Sequence, residues 1–128
     1  MDIEKHITFW RIGAEEDIQV AEELMDKKRF RQALFFAHLA VEKAIKAHIA
    51  RETRNIPPRI HNLLRLAEIT SVTLSNDDKD FFARLNIYQI HGRYPEEYSF
   101  NLDEKKSQIL LSRAKEVVKW LIEQLLLL

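Results

Sequence analysis

Apolar residues recur every three or four positions along most of the chain, which is the period of an α-helix and not of a strand. With only 2 Gly and 3 Pro in 128 residues, the chain also has little material for hairpins or sandwiches. The pattern therefore argues against an all-β fold and predicts a single helical domain over residues 1–128. It begins with one amphipathic helix over residues 4–26, whose apolar positions are Ile3, Ile7, Trp10, Ala14, Ile18, Ala21 and Met25.

The next two helices are bounded by prolines. Pro57 and Pro58 break the second helix near Glu52, because proline has no N–H to donate and the residue before it avoids the helical region. Pro58 is placed in the first turn of a short third helix. Gly13 weakens the interior of the first helix and indicates a close approach by a neighbour. A row of small residues in the second helix, which lets helix axes come close, consists of Ala33, Ala37, Ala40, Ala44 and Ala47.

Two further long helices complete the pattern. Ser75 and Asp78 predict the start of a fourth helix, and Gly92 its end. Asn101 and Glu104 have capping-box spacing and predict the start of the last helix. The expected fold is an all-α, up-and-down antiparallel four-helix bundle with one short accessory helix.

The net charge of zero hides a strong segregation of charge along the chain. Residues 1–26 carry eight acids and two bases, residues 27–65 carry two acids and ten bases, and residues 66–128 carry ten acids and eight bases. The basic middle segment could attract phosphate. Alternatively, it faces the acidic first segment across an antiparallel hairpin.

Most catalytic and cofactor sites are excluded by inspection. The absence of Cys removes disulfides and thiolate metal sites, and no Glu-x-x-His or paired histidine spacing is present, so no metal site and no cofactor are expected. Isolated glycines exclude the usual phosphate loops. No apolar run is long enough to cross a bilayer, so a cytoplasmic protein with no membrane contact is expected.

The segment from Arg84 to Pro95 gathers two Arg, one His and two Tyr. Arg84 and His91 are seven residues apart, which places them on one helix face at a separation of roughly 10 Å along the axis. Because side chains lean toward the N-terminus of a helix, a phosphate would more easily meet His91 of one chain and Arg84 of a two-fold partner. The alternative is a surface Arg and a helix-terminal His that interacts with the last carbonyls.

Several segments together resemble the HEPN domain family (higher eukaryotes and prokaryotes nucleotide-binding). The resemblance covers nearly the whole chain. It rests on Ala21–Leu24 leading into Phe30–Ala47, on His61-Asn62-Leu63-Leu64 at the start of the short helix, and on Arg93-Tyr94-Pro95. It implies a homodimeric helical bundle that is often encoded beside a minimal nucleotidyltransferase as a toxin–antitoxin pair.

Many members of the family are metal-independent ribonucleases built around the motif Arg-x(4 to 6)-His. Arg84 and His91 of this chain resemble the longest form of that motif. The resemblance implies that His91 is the general acid/base and that Arg84 binds the phosphate. The sequence departs from the pattern because Leu85 follows the Arg, and polar Asn86 comes one position later. The helix would have to be distorted for Asn86 to substitute. Tyr94 also stands three residues after His91, so the family's adenylylated tyrosine is not reproduced.

The remaining candidates have both a binding and a structural interpretation. Arg93 and Tyr94 contact a nucleotide or phosphate, or form a turn in which Tyr94 packs on the bundle and Arg93 pairs with an acid. His61 joins Lys43 and Lys46 in a nucleotide pocket, or hydrogen-bonds locally. His48 is expected at the edge of the core, and Glu42 and Lys46 as a solvated pair.

Three functions remain open at this point. The favoured one is nucleotide or RNA-phosphate binding by the HEPN partner of a minimal nucleotidyltransferase. The alternatives are an active metal-independent ribonuclease that uses Arg84 and His91 across a homodimer, and a noncatalytic structural dimer.

Overall fold

The computed structural model describes residues 2–93 and 102–127, with the side chains of residues 2–89 and 102–127. These ranges contain helices and no strand, which confirms the predicted fold class. Four helices are long and one is short, as the periodicity predicts. Their bounds are α1 Ile3–Asp26, α2 Phe30–Thr53, α3 Leu63–Glu68, α4 Asn76–Arg93 and α5 Glu104–Leu126.

Two of the predicted helix starts need correction. The short helix is capped by Asn62, whose Oδ1 accepts from the N–H groups of Leu64 and Arg65, and Pro58 lies outside it. Asn62 starts the helix because its side chain accepts hydrogen bonds from the free N–H groups of the first turn, which a proline side chain cannot do. Helix α5 is capped by Asp103, which accepts from Lys106 N. The predicted cap Asn101 lies outside the described residues.

Helix α4 starts as predicted and ends later than predicted. The Ser75 Oγ accepts from Asp78 N and the Asp78 carboxylate accepts from Ser75 N, which is a reciprocal capping box. Gly92 does not stop the helix, which continues to Arg93. Glycine is tolerated inside a helix at a cost of about 1 kcal/mol relative to alanine, so it need not end one.

Helix α2 is the centre of the bundle and packs against each of the other four helices. Its row of small residues is buried, which allows α1 to lie close against it. Gly13 of α1 lies against the side chain of Lys43 of α2, since a Cβ built there would lie 3.0 Å from Lys43 Cδ. His48 is buried and donates from Nε2 to the carbonyl of Leu121 at 2.7 Å, which ties α2 to α5. No described helix is long and apolar enough to cross a membrane.

Candidate functional site

A cluster of polar side chains interrupts the apolar core along one face of α2. Glu42 and Lys46 are 5% and 7% exposed, and Lys46 Nζ lies 3.0 Å from Glu42 Oε2. The prediction of a solvated pair is therefore wrong. The spacing of four residues does pair the two groups, but the neighbouring helices cover them.

Glu42 is the centre of this cluster, because three basic groups surround its carboxylate. In addition to Lys46, the ring nitrogen Nδ1 of His61 lies 3.2 and 3.3 Å from the two carboxylate oxygens. The Nδ1 atom of His38 lies 3.8 Å from Oε1. His61 is 44% exposed whereas His38 is 2% exposed, so the cluster runs from the core out to solvent through His61.

Asn86 of α4 ties the cluster to the segment that carries His61. Its Oδ1 accepts from His38 Nε2 at 3.2 Å and from the backbone N–H of Leu63 at 3.0 Å. Its Nδ2 donates to Oδ1 of Asn62 at 3.1 Å. One amide side chain thus holds α2, the start of α3 and α4 together. We call the six residues His38, Glu42, Lys46, His61, Asn62 and Asn86 the polar cluster.

The imidazole of His38 is neutral at physiological pH. Burial lowers its pKa from 6.5 to about 4, because the low-dielectric interior disfavours the charged ring, and the opposing effects of Glu42 and Asn86 are smaller. His38 therefore acts as a hydrogen-bond donor to Asn86 and not as a second cation beside Glu42.

The two candidate lysines take separate directions from α2. Lys46 lies over the ring of Trp10 at 5.4 Å, in addition to its pairing with Glu42. Lys43 turns toward α1 and pairs with Asp17 at 2.7 Å. The structure therefore brings Lys46 and His61 together on Glu42, and it does not bring Lys43 into that group. The Lys43–Asp17 pair fits the alternative in which the basic segment faces the acidic one.

Arg84 lies on a different face of α4 from Asn86. It is exposed and lines a groove of about 630 Å³ against α5, whereas Asn86, two residues later, is directed toward α2 and α3. Leu85 is fully buried. Helix α4 is one continuous α-helix, so the distortion that would let Asn86 replace the missing polar neighbour of Arg84 does not occur.

The other candidate residues of this region lie partly or wholly outside the described residues. Positions 91 and 93 belong to α4, but the side chains of His91 and Arg93 lie outside the described residues, as does all of Tyr94. Tyr88, one turn after Arg84, is partly buried, and this burial raises its pKa. Within the described ranges, no three His, Asp or Glu side chains are grouped to hold a metal ion.

Sequence reasoning missed His38 and did not foresee the role of Asn86. A signal for His38 was present, since His38, Glu42 and Lys46 follow one another at intervals of four residues in a helix that is otherwise rich in buried alanines. Such spacing places three polar groups on one face. Asn86 carries no comparable signal, because its partners come from distant parts of the chain.

Comparisons with known proteins agree with the sequence resemblance. The model of the HEPN domain family matches residues 7–125. The crystal structure of TT1696 from Thermus thermophilus is similar, with a TM-score of 0.78 and 22% identity over 91% of this chain and 96% of that one. The crystal structure of ST0689, an archaeal HEPN homologue, has a TM-score of 0.72 and 20% identity over 93% and 97% of the two chains. A search of curated proteins gave no match. At these identities the structures show the shared fold, and the family model shows that this chain belongs to the HEPN domain family.

Proposed function

We propose that this HEPN domain binds a nucleotide or an RNA phosphate at the surface where His61 emerges from the polar cluster, with Arg93 and Tyr94 as further candidate contacts. In this proposal it is a homodimeric cytoplasmic protein, the HEPN component of a toxin–antitoxin pair with a minimal nucleotidyltransferase. The observation that carries the proposal is the buried ion pair of Glu42 and Lys46, whose carboxylate is also in contact with the exposed ring of His61.

Buried charges of this kind are poor devices for stability. Taking a carboxylate and an ammonium group out of water costs about as much as their attraction returns, and apolar residues of the same volume are often as stable or better. Clusters of titratable groups that reach the surface are instead common at functional sites. The polar cluster therefore supports a binding role better than it supports a purely structural one.

The segment around His61 also favours an anionic ligand. Residues 54–65 contain three Arg and no acid, and all three are exposed; Arg54 pairs with Glu4 at 2.9 Å, which leaves Arg59 and Arg65 as the candidates for contact with an anion. Exposed guanidinium groups attract phosphate and can hold it with two hydrogen bonds. Lys43 and Lys46 are occupied by Asp17 and Glu42, so they contribute to this site through its structure and not as free cations.

Isothermal titration calorimetry with AMP, GMP, ATP and a short single-stranded RNA tests the proposal. We expect saturable binding without turnover. Arg93→Ala should weaken it about tenfold or more, because a hydrogen bond to a charged group contributes about 1.5–3 kcal/mol, and His61→Ala should weaken it roughly three- to tenfold, the effect of one neutral hydrogen bond. Lys119→Ala, at an exposed position of α5, is the matched control and should bind like the wild type. Absence of binding to every one of these ligands would refute the proposal.

A ribonuclease that uses Arg84 and His91 across a homodimer is the second candidate. It is favoured by the exposure of Arg84 and by the continuous helix, which keeps positions 84 and 91 on one face. It predicts cleavage of single-stranded RNA in the presence of a chelator, lost in both Arg84→Ala and His91→Ala while the dimer persists. Activity that survives in either variant would exclude this site.

A further inference from the structure

The two ring nitrogens of His61 have different surroundings. Nδ1 lies 3.2 and 3.3 Å from the oxygens of Glu42, so in the neutral imidazole Nδ1–H donates to the carboxylate. No described residue hydrogen-bonds Nε2, and the side chain is 44% exposed. Nε2 is then an unprotonated acceptor on the far side of the ring from Glu42.

The two buried histidines, His38 and His48, each present Nε2 to a hydrogen-bond acceptor. His48 Nε2 faces the carbonyl of Leu121, which can only accept a hydrogen bond. His38 Nε2 faces Oδ1 of Asn86, whose orientation is fixed because the same oxygen accepts from Leu63 N. His48 therefore carries its proton on Nε2, and the carboxylate of Glu42 gives His61 the other tautomer. The backbone of His61 competes with Asn86 for the ring proton of His38, so His38 is not used as a reference.

We propose that Glu42 is a positioning residue that holds His61 as its Nδ1–H tautomer, so that Nε2 accepts a hydrogen bond from a donor group of a bound ribonucleotide. Phosphate oxygens of a nucleotide dianion only accept, so they do not match this atom. The ribose hydroxyl groups and the amino group of a base are the donors that a nucleotide offers. This inference rests on the proposed function, because it assigns the part of the nucleotide that His61 contacts.

The tautomer is measured on the ligand-free protein. A long-range ¹⁵N–¹H correlation spectrum at pH 8.5, where an ordinary imidazole is neutral, distinguishes protonated from unprotonated ring nitrogens. We expect the Nδ1–H form for His61 and the Nε2–H form for His48, which serves as the internal reference. An Nε2–H form for His61 in the wild-type protein would overturn the inference.

Glu42→Gln tests whether the carboxylate sets the tautomer. Lys46 draws the amide oxygen of the new side chain toward its ammonium group, which leaves the NH₂ group facing Nδ1 of His61. The NH₂ group then occupies the Oε1 position at 3.2 Å from Nδ1, nearer than the oxygen at the Oε2 position at 3.3 Å, so we expect Nδ1 to accept and His61 to change to the Nε2–H form. Glu52→Gln is the matched control on the same helix, because Glu52 accepts from Ser71 N and lies outside the polar cluster. The tautomer should not change in this control, and an unchanged tautomer in Glu42→Gln would refute the positioning role.

The donor group is identified by calorimetry at pH 8.5 with AMP, 2′-deoxy-AMP, 3′-deoxy-AMP and purine riboside monophosphate. Removing the donor that Nε2 accepts from should weaken wild-type binding roughly three- to tenfold, the effect of one neutral hydrogen bond. Weaker binding of a deoxy analogue identifies a ribose hydroxyl as the donor, as expected of a protein that distinguishes RNA from DNA. Weaker binding of the purine analogue identifies the amino group of the base. The discrimination should disappear in Glu42→Gln and persist in Glu52→Gln.

Two failures are distinguishable. If AMP binds and all three analogues bind equally well, the inference is refuted and the proposed function stands. If no nucleotide binds, the proposed function and the ligand assignment are both refuted, whereas the tautomer spectrum still decides the role of Glu42.

Discussion

Replacing Glu42 by methionine should be among the most destabilising single changes in this protein. The substitution keeps a side chain of similar length and removes the carboxylate that balances Lys46, whose side chain is 7% exposed. Lys46 would keep the ring of Trp10 as a neighbour at 5.4 Å, but an aromatic face replaces only part of a carboxylate. Removing one partner of a buried ion pair costs about 3–5 kcal/mol, since an uncompensated charge stays in the interior.

This loss is large enough to measure by two methods. Unfolding entropy is about 2.1 cal/mol/K per residue, so for a chain of 128 residues a loss of 3–5 kcal/mol lowers Tm by roughly 11–19 °C. Urea unfolding followed by circular dichroism at pH 7.5 should show the same loss as a lower midpoint with an unchanged slope. The double variant Glu42→Met/Lys46→Met should recover the stability of the wild type or exceed it, because it leaves no charge unpaired.

The exposed pair Arg54–Glu4 provides the matched control. Its side chains are 58% and 68% exposed at a separation of 2.9 Å, so Glu4→Met should cost about 0–1 kcal/mol. If Glu42→Met costs no more than this control, Lys46 reaches solvent. The buried polar cluster, and with it the argument for a binding site at His61, would then be wrong.

Three further predictions concern other parts of the bundle. Folding lowers the pKa of His38 from 6.5 to about 4, so the unfolded chain binds more protons than the folded protein between these pH values. The contribution of His38 to stability is therefore complete above pH 6.5. About 3 kcal/mol of this contribution is lost as the pH falls toward 4. His38→Gln should reduce that slope in urea titrations at successive pH values, and an unaltered slope would contradict the assignment. Gly13→Ala should change the stability of the wild type little, because the new Cβ contacts Lys43. In the Lys43→Ala background that contact is absent, so the same substitution should stabilise the protein by up to about 1 kcal/mol through its higher helix propensity. Equal effects in both backgrounds would exclude the contact. His48→Phe should cost about 0.5–1.5 kcal/mol in thermal unfolding because it removes the hydrogen bond that ties α2 to the Leu121 carbonyl of α5, and a neutral result would show that this hydrogen bond is dispensable.

Local chemistry accounts for the predictions about helices that succeeded and for those that failed. The capping box of Ser75 and Asp78 joins residues three apart, so the sequence contains both partners. Pro58 and Asn101 were equally reasonable starts by local rules, but other residues cap the helices in their place. Asn62 was preferred at α3 because the same Oδ1 that caps the helix also accepts from Asn86, a contact made across 24 positions.

The amino-acid sequence by itself determined the number of helices and the capping box that starts α4, since periodicity and capping act over a few neighbouring positions. It also placed His38, Glu42 and Lys46 on one face of α2. Only the tertiary structure decided that this face is buried, that His61 joins it 19 positions after Glu42, and that Arg84 and Lys43 are directed elsewhere. The physical reason is that burial and the pairing of charges depend on which helices cover a side chain, and no local pattern contains that information.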